Sequence, residues 1–312
     1  MIYAGIDLGG TTIKGALVST EGQIIRTKSI PTGGERPHRE VVLDMARLIA
    51  DLAAEEGVAL SEIARVGIGS PGTIDPENGV IVYANNFADF RNVPMRDIMH
   101  EILPADMPID MENDANVAAL GECLFGAGKG SRNVVMITIG TGLGGGVVIG
   151  GKIFSGAFFG GGELGHTVIV ADGKPCSCGR KGCWEAYSSA TGMVRIAREA
   201  VVRHPESVLA EKFGTMNALD IRLAERAGDP AAVEALEEYS HFLGIGLVNV
   251  LNVFQPEYLI IGGGPSADGD LLLDPLMPDI MKYVYGGKLR TKIAIAELGN
   301  RAGVIGAAFL AQ

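Results

Sequence analysis

Long apolar runs are missing from this chain. No segment of about 20 residues is continuously apolar, as a membrane-crossing helix requires, and glycine interrupts the apolar stretches that do occur. Basic clusters are missing as well. The formal net charge is -11, with no Lys/Arg stripe or block. This argues against a nucleic-acid footprint and against attraction to anionic membranes. An anionic substrate remains compatible, because local groups override net charge. The opening MIYAGIDLGG reads as a strand rather than a basic signal region. A soluble, cytoplasmic protein is therefore expected. Cysteine is scarce, at four residues, and Cys176, Cys178 and Cys183 lie close together. In a long chain with no export signal, that spacing points to metal rather than disulfides.

Glycine is abundant instead, at 45 of 312 residues, without the G-x-y period of collagen. The glycines gather at strand ends, where tight turns and close approach to a ligand require them. A 47% hydrophobic content supplies a sizeable core. The length suits two domains sharing a cleft, or one large domain. Residues 2–8, 13–19 and the stretch GQIIRTKSI read as a hairpin meander. Residues 38–56 carry apolar positions at helical spacing. ARVGIGSPG is a strand running into a Gly-Pro turn, 92–103 a short helix, and MPIDMEND a strand ending in acidic residues. ANVAALGECLFGAG follows as a helix. Residues 160–187 form an irregular insert and 188–254 are mostly helical. YLIIGGG and IAIAELGN are late strands, and RAGVIGAAFL a final helix.

One theme occurs twice. DLGGTT at 7–12 and IGTGLGGG at 139–146 each sit between apolar strands. Two such units imply two related α/β halves. Neither turn reads GxxxxGK[ST], so neither is a Walker A loop, and no GxGxxG with an acidic partner marks a dinucleotide site. Asp7, at a strand end, offers hard oxygen ligands suited to Mg²⁺. The glycines beside it let backbone N–H groups approach phosphate.

The ordered set IDLGGTTIKG, GIGSPGTID, ENDANVAALGE, TIGTGLGGGVVIGG, GGELGH, CSCGRKGCWEAYSS, IIGGG and GNRAGVIGAA spans nearly the whole chain and resembles the ROK family of bacterial sugar kinases and related repressors. The resemblance implies an actin-like ATPase fold, α/β in class, with two ribonuclease-H-like domains around a cleft. The expected division is 1–113 plus 300–312 as a smaller N-terminal domain. A larger domain, 114–299, carries a metal-binding insert at 160–187. Repressor members add an N-terminal helix-turn-helix region; here the first strand starts at residue 2, so an enzyme is expected.

The activity implied is ATP-dependent phosphorylation of a hexose at its 6-hydroxyl, glucose first. The alternatives are fructose, mannose, allose or an N-acetylhexosamine, a non-catalytic sugar sensor, or an actin-type ATPase. The phosphate-contacting residues implied are Asp7, Gly9, Gly10, Thr11, Thr12, Lys14, Thr141, Gly142, Gly144, Gly263 and Gly264; Lys14 on a strand equally faces elsewhere. Asp114 is the expected general base, since a hexose hydroxyl needs a carboxylate to take its proton. At the start of a helix it is equally an N-cap. The sugar pocket implied comprises Ser70, Pro71, Gly72, Asn86 (with Asn85 its rival), Asn113, Asp114, Glu163, His166 and Glu185. Glu112 receives no direct role, because three successive strand residues cannot face one way.

Cys176, Cys178, Cys183 and His166 form a Cys₃His set suited to tetrahedral, structural Zn²⁺. The C-x-C spacing is not the redox C-x-x-C. Cys123, inside an apolar helix, reads as a core residue. The expected partners are hexose and Mg²⁺-bound ATP, with no nucleic acid and no membrane. A homodimer is expected, with a tetramer as the alternative.

Overall fold

The computed structural model describes residues 1–310 other than 85, 86, 265, 267 and 268. Strands β1 (Ile2–Leu8), β2 (Thr12–Ser19) and β3 (Ile24–Pro31) form the expected antiparallel meander. Helix α1 (His38–Glu56) follows and ends at Gly57, whose φ of 72° supplies the left-handed cap. Strand β4 (Ile63–Ser70) runs parallel to β1.

A small antiparallel sheet comes next, built from β5 (Thr73–Asp75), β6 (Val80–Tyr83) and β7 (Arg91–Val93). It was not legible in the sequence. It also corrects the expected helix at 92–103. The helix α2 is confined to Met95–Met99, because β7 pairs with β6 and Pro94 stands between them. The residue before a proline is driven to extended backbone, so the helix starts after it.

Strand β8 (Ile109–Asn113) runs parallel to β4 and leads into α3 (Asp114–Phe125). The first sheet therefore has the order β3-β2-β1-β4-β8. Strands β9 (Val134–Ile139), β10 (Leu143–Ile149) and β11 (Lys152–Ile153) precede the irregular segment. Helices α4 (Glu185–Ser188), α5 (Ala190–Arg203), α6 (Ala218–Arg226) and α7 (Pro230–Phe254) follow. The chain closes with β12 (Tyr258–Gly263), α8 (Asp270–Leu273), α9 (Met277–Tyr283), β13 (Lys292–Ile295) and α10 (Ala302–Ala308). The second sheet has the order β11-β10-β9-β12-β13, repeating the order of the first. In both sheets one edge pair is antiparallel (β2–β3, β10–β11) and the other parallel (β4–β8, β12–β13). The repeated sequence theme thus corresponds to a repeated strand plan.

Two compact units result: 1–136, 146–162 and 296–312 in one, 137–145 and 163–295 in the other. These bounds differ from the expected 113/114 and 299/300 divisions, since α3 and the residues after it fall in the first unit. Helix α3 packs closely on α10, where an added Cβ on Gly306 would meet the Val117 carbonyl oxygen at 1.7 Å. In the first unit, α1 covers one sheet face through Val41, Met45, Leu48, Ile49 and Leu52. The other face meets α10 through Val304, Ile305 and Ala308. Gly67 of β4 permits that approach, because a Cβ there would lie 1.7 Å from the Ala307 oxygen. In the second unit Trp184 is fully buried, against Gly246 of α7. Among the described residues, no helix is long and apolar enough to cross a membrane.

Candidate active site

In the first unit, the β1–β2 turn is closed by the Gly9 N–H donating to the Thr12 carbonyl at 3.0 Å. Gly10, Thr11 and Thr12 are exposed on it. Thr32, fully buried just past β3, braces the turn from beneath. Its hydroxyl donates to Gly9 O at 2.7 Å and its N–H to Thr11 O at 3.0 Å. Sequence reasoning missed Thr32, although the hairpin register brings the end of β3 beside the start of β2.

Asp7 stands directly opposite Lys14 in the β1–β2 register. Directly paired residues share a sheet face. Lys14 is not aimed at the open side of the turn; its ammonium donates to the Asn300 carbonyl at 2.6 Å. Burial, and then the charge of Asp114, push the Asp7 carboxyl up to about 6, while Lys14 pulls the other way. Gly303 leaves room for Asp7, since a Cβ there would lie 2.7 Å from its Oδ2.

Asp114 is the first residue of α3, and the N-cap is Asn113 rather than Asp114. Asn113 Oδ1 accepts from the Ala115 and Asn116 N–H groups at 2.9 and 3.4 Å, and its amide donates to Gly72 O at 3.3 Å. Burial raises the Asp114 carboxyl above its ordinary range, partly offset by the Ala115 N–H donating to it at 2.9 Å. A carboxylate so raised is a better proton acceptor than an exposed one. Ser70 and Pro71 are buried at the end of β4, and Gly72 turns the chain with a φ of 93°. A Cβ on Gly72 would lie 2.0 Å from the Tyr83 carbonyl oxygen. Asn86 and its rival Asn85 lie outside the described residues.

Glu122 is fully buried and was also missed. Its carboxylate accepts from the N–H groups of Leu298, Glu297 and Ala127 at 2.7, 3.1 and 2.9 Å. It thereby fixes the segment leading to Asn300, the partner of Lys14. A buried carboxylate needs such a full set of donors.

In the second unit, the β9–β10 turn is closed by the Gly140 N–H donating to Gly142 O at 2.9 Å, with Thr141 exposed. The start of α5 holds it. Ala190 N–H donates to Gly140 O at 2.9 Å and the Thr191 hydroxyl to Thr141 O at 2.8 Å. Glu185 Oε2 accepts from the Leu143 N–H at 3.0 Å, and its Oε1 from the Ser177 hydroxyl at 3.2 Å. Gly144 lies in β10. Gly263 ends β12 with a φ of 93°, and a Cβ there would lie 2.0 Å from the Ile139 oxygen. Gly264 follows, exposed.

His166, Cys176, Cys178 and Cys183 bring their ligand atoms within 4.8 Å of one another. His166 Nδ1 lies 3.6 Å from Cys176 Sγ, and Cys178 Sγ lies 3.7 Å from Cys183 Sγ. A tetrahedral ion with sulfur at ~2.3 Å sets its ligand atoms ~3.8 Å apart. The donor set therefore fits a four-coordinate metal ion. Burial, foremost, pushes the Cys183 thiol up to about 12, so its ionisation calls for a cation. Glu163, exposed, caps the short 3₁₀ turn Leu164–His166, and His166 N–H donates to the Glu163 carbonyl at 3.1 Å. The structure thus groups the expected residues into two sets, Asp7, Lys14, Ser70–Gly72, Asn113 and Asp114 in one unit and Thr141, Gly142, Glu163, His166 and Glu185 in the other.

A model of the ROK family matches residues 3–312. A glucokinase of Halalkalibacterium halodurans is 39% identical over 319 residues, covering 99% of this chain and 94% of its own length. A ROK family glucokinase from Streptomyces griseus, solved in complex with glucose and AMPPNP, superposes with a TM-score of 0.81 at 36% identity and covers 99% of both chains. A xylose repressor of Caldicellulosiruptor bescii is 31% identical, covering 97% of this chain and 76% of its own length.

Proposed function

The chain belongs to the ROK family, and from that premise we propose that it is an ATP-dependent hexose kinase acting on glucose at the 6-hydroxyl. The observation that carries this reading is a raised, half-buried carboxyl at Asp114 next to the charge of Asp7, in a chain similar throughout to a glucokinase solved with glucose and an ATP analogue.

Asp114 takes the proton of the sugar 6-hydroxyl as its oxygen bonds the terminal phosphorus of ATP. The bond to the bridging oxygen breaks and its electrons leave with ADP. Asn113, Gly72, Glu163, His166 and Glu185 supply donors and acceptors for the remaining hydroxyls. The turns at 9–12 and 140–144, with Gly263 and Gly264, present backbone N–H groups to the phosphates. Asp7 would hold the Mg²⁺ that travels with ATP, and that ion supplies charge neutralisation. His166, Cys176, Cys178 and Cys183 would hold Zn²⁺, which supplies a cross-link and leaves no open position.

The repeated strand order supports the finer description as an actin-like pair of ribonuclease-H-like domains. A homodimer belongs to the same reading, and light scattering on the eluted protein tests it. The base assignment is tested by Asp114→Asn. Turnover should fall by about 10²–10⁴-fold, the share a general base carries, while glucose still binds by calorimetry. A variant within fivefold of the parent would remove Asp114 from that role.

A further inference from the structure

Glu112 lies one residue before the N-cap of α3 and is 7% exposed. A charge so placed is costly unless every oxygen is engaged. Its Oε1 accepts from the Asn113 N–H at 2.8 Å and from the Asn116 amide at 3.2 Å. Asn116 is itself buried, and its Oδ1 accepts from the Val147 N–H at 3.3 Å. The other oxygen, Oε2, accepts from the Ser155 hydroxyl at 2.5 Å, 43 residues along the chain.

Ser155 is the base of a closed loop. Its carbonyl accepts from the Gly161 N–H at 2.7 Å, so residues 156–160 leave and return at one point. Gly156, Phe159 and Gly162 have φ values of 73°, 61° and 90°, and Phe158 is 88% exposed. The next residue after Gly162 is Glu163. Such a loop has little packing of its own, so its placement depends on its base. One carboxylate thus holds the backbone that presents Asn113 and Asp114, and also the base of the loop that runs into Glu163.

We propose that Glu112 is a positioning residue for the hexose. It fixes the 155–161 loop, through Ser155, relative to the strand end that carries Asn113 and Asp114. The inference rests on the hexose-kinase reading. It predicts different effects for its two arms. Releasing Ser155 should weaken hexose binding alone. Removing Glu112 should also disturb the start of α3 and hence turnover.

The test compares Ser155→Ala, Glu112→Ala and Glu112→Gln by steady-state kinetics, melting temperature and amide hydrogen exchange. Ser155→Ala should raise KM for hexose about 5- to 20-fold, with kcat and KM for ATP within twofold and the melting temperature unchanged. Exchange should rise in 155–162 only. Glu112→Gln should stay near the parent, because its Oε1 still accepts from Asn113 and its Nε2 can donate to the Ser155 oxygen. Glu112→Ala should raise KM and lower kcat, and adding Ser155→Ala to it should change KM less than twofold further. Should Glu112→Ala not fold, Ser155→Ala alone decides. Unchanged exchange in 155–162, or a hexose KM within twofold of the parent, overturns the proposal. If the parent shows no hexose-dependent turnover, the kinase reading fails instead; the exchange data then report the tether on their own.

Discussion

The turn at 9–12 and the turn at 140–143 both join apolar strands through glycine and threonine, yet different partners hold them. The first is braced by Thr32, two hydrogen bonds from one buried residue just past the last strand of the same meander. The second is braced by Ala190, Thr191 and Glu185, from elements more than 40 residues downstream. Glu185 also meets Ser177 and lies 3.6 Å from Cys176 Sγ, at the Cys₃His cluster. The first turn is thus set by local chain geometry, and the second by a segment that a metal ion would cross-link. Similar sequence therefore carries different vulnerabilities.

Loss of the metal should separate the two most sharply. Cys178→Ser, or prolonged chelation, should lower hexose-dependent turnover by about two orders of magnitude, since a structural site contributes on the order of 10 kcal/mol to the fold around it. Hydrogen exchange should rise at 140–144 and 163–188 and stay unchanged at 9–12. Equal exposure of both turns would show that the cluster does not act through Glu185.

Thr32→Val should do the converse at a smaller scale. The Gly9 carbonyl loses its hydroxyl donor at a buried site, while the residue-32 N–H still donates to Thr11 O, at a cost of about 1–3 kcal/mol. KM for ATP should rise about tenfold, with the metal content unchanged by emission spectroscopy.

Asp7 gives the next effect, and its sign depends on pH. The folded protein keeps the Asp7 proton up to about 6, whereas the ordinary value is 3.8. Stability of the ligand-free protein therefore declines as pH rises from about 4 to about 6, and the penalty persists above. Asp7→Asn should raise stability at pH 7.5 by about 3 kcal/mol, the size that a rise from 3.8 to about 6 implies, with the gain vanishing below pH 4, while abolishing turnover. Denaturant titrations at both pH values check this; a loss of stability at pH 7.5 would contradict it. Thr191→Val should matter least. Thr191 is exposed, so water replaces its bond to Thr141, and KM for ATP should shift less than twofold.

The strands were legible because apolar runs end in glycine, and the repeated theme pointed to two related α/β halves, though the strand order they share could not be read from it. The Cys₃His set was legible because its spacing is local. The small sheet at 73–93 escaped notice because its strands are three or four residues long and partly exposed. Thr32, Glu122 and Ser155 escaped for a different reason. Each acts on a residue that the fold, not the sequence, brings near. Glu112 was set aside on strand alternation, which fixes where a side chain leaves the strand but not what the far end of a long one reaches; here its carboxylate turns back onto Asn113 N–H and the buried Asn116. Lys14 shows the same limit. Its sequence position allowed a phosphate contact, and its ammonium instead meets the Asn300 carbonyl.

The most direct test of the account is ADP release by the metal-replete protein with ATP and Mg²⁺, across glucose, fructose, mannose, allose, N-acetylglucosamine and N-acetylmannosamine, beside a no-sugar control. The account predicts release that depends on sugar and is greatest with glucose. Release that is the same with and without sugar, or none with any sugar from folded protein, would contradict it.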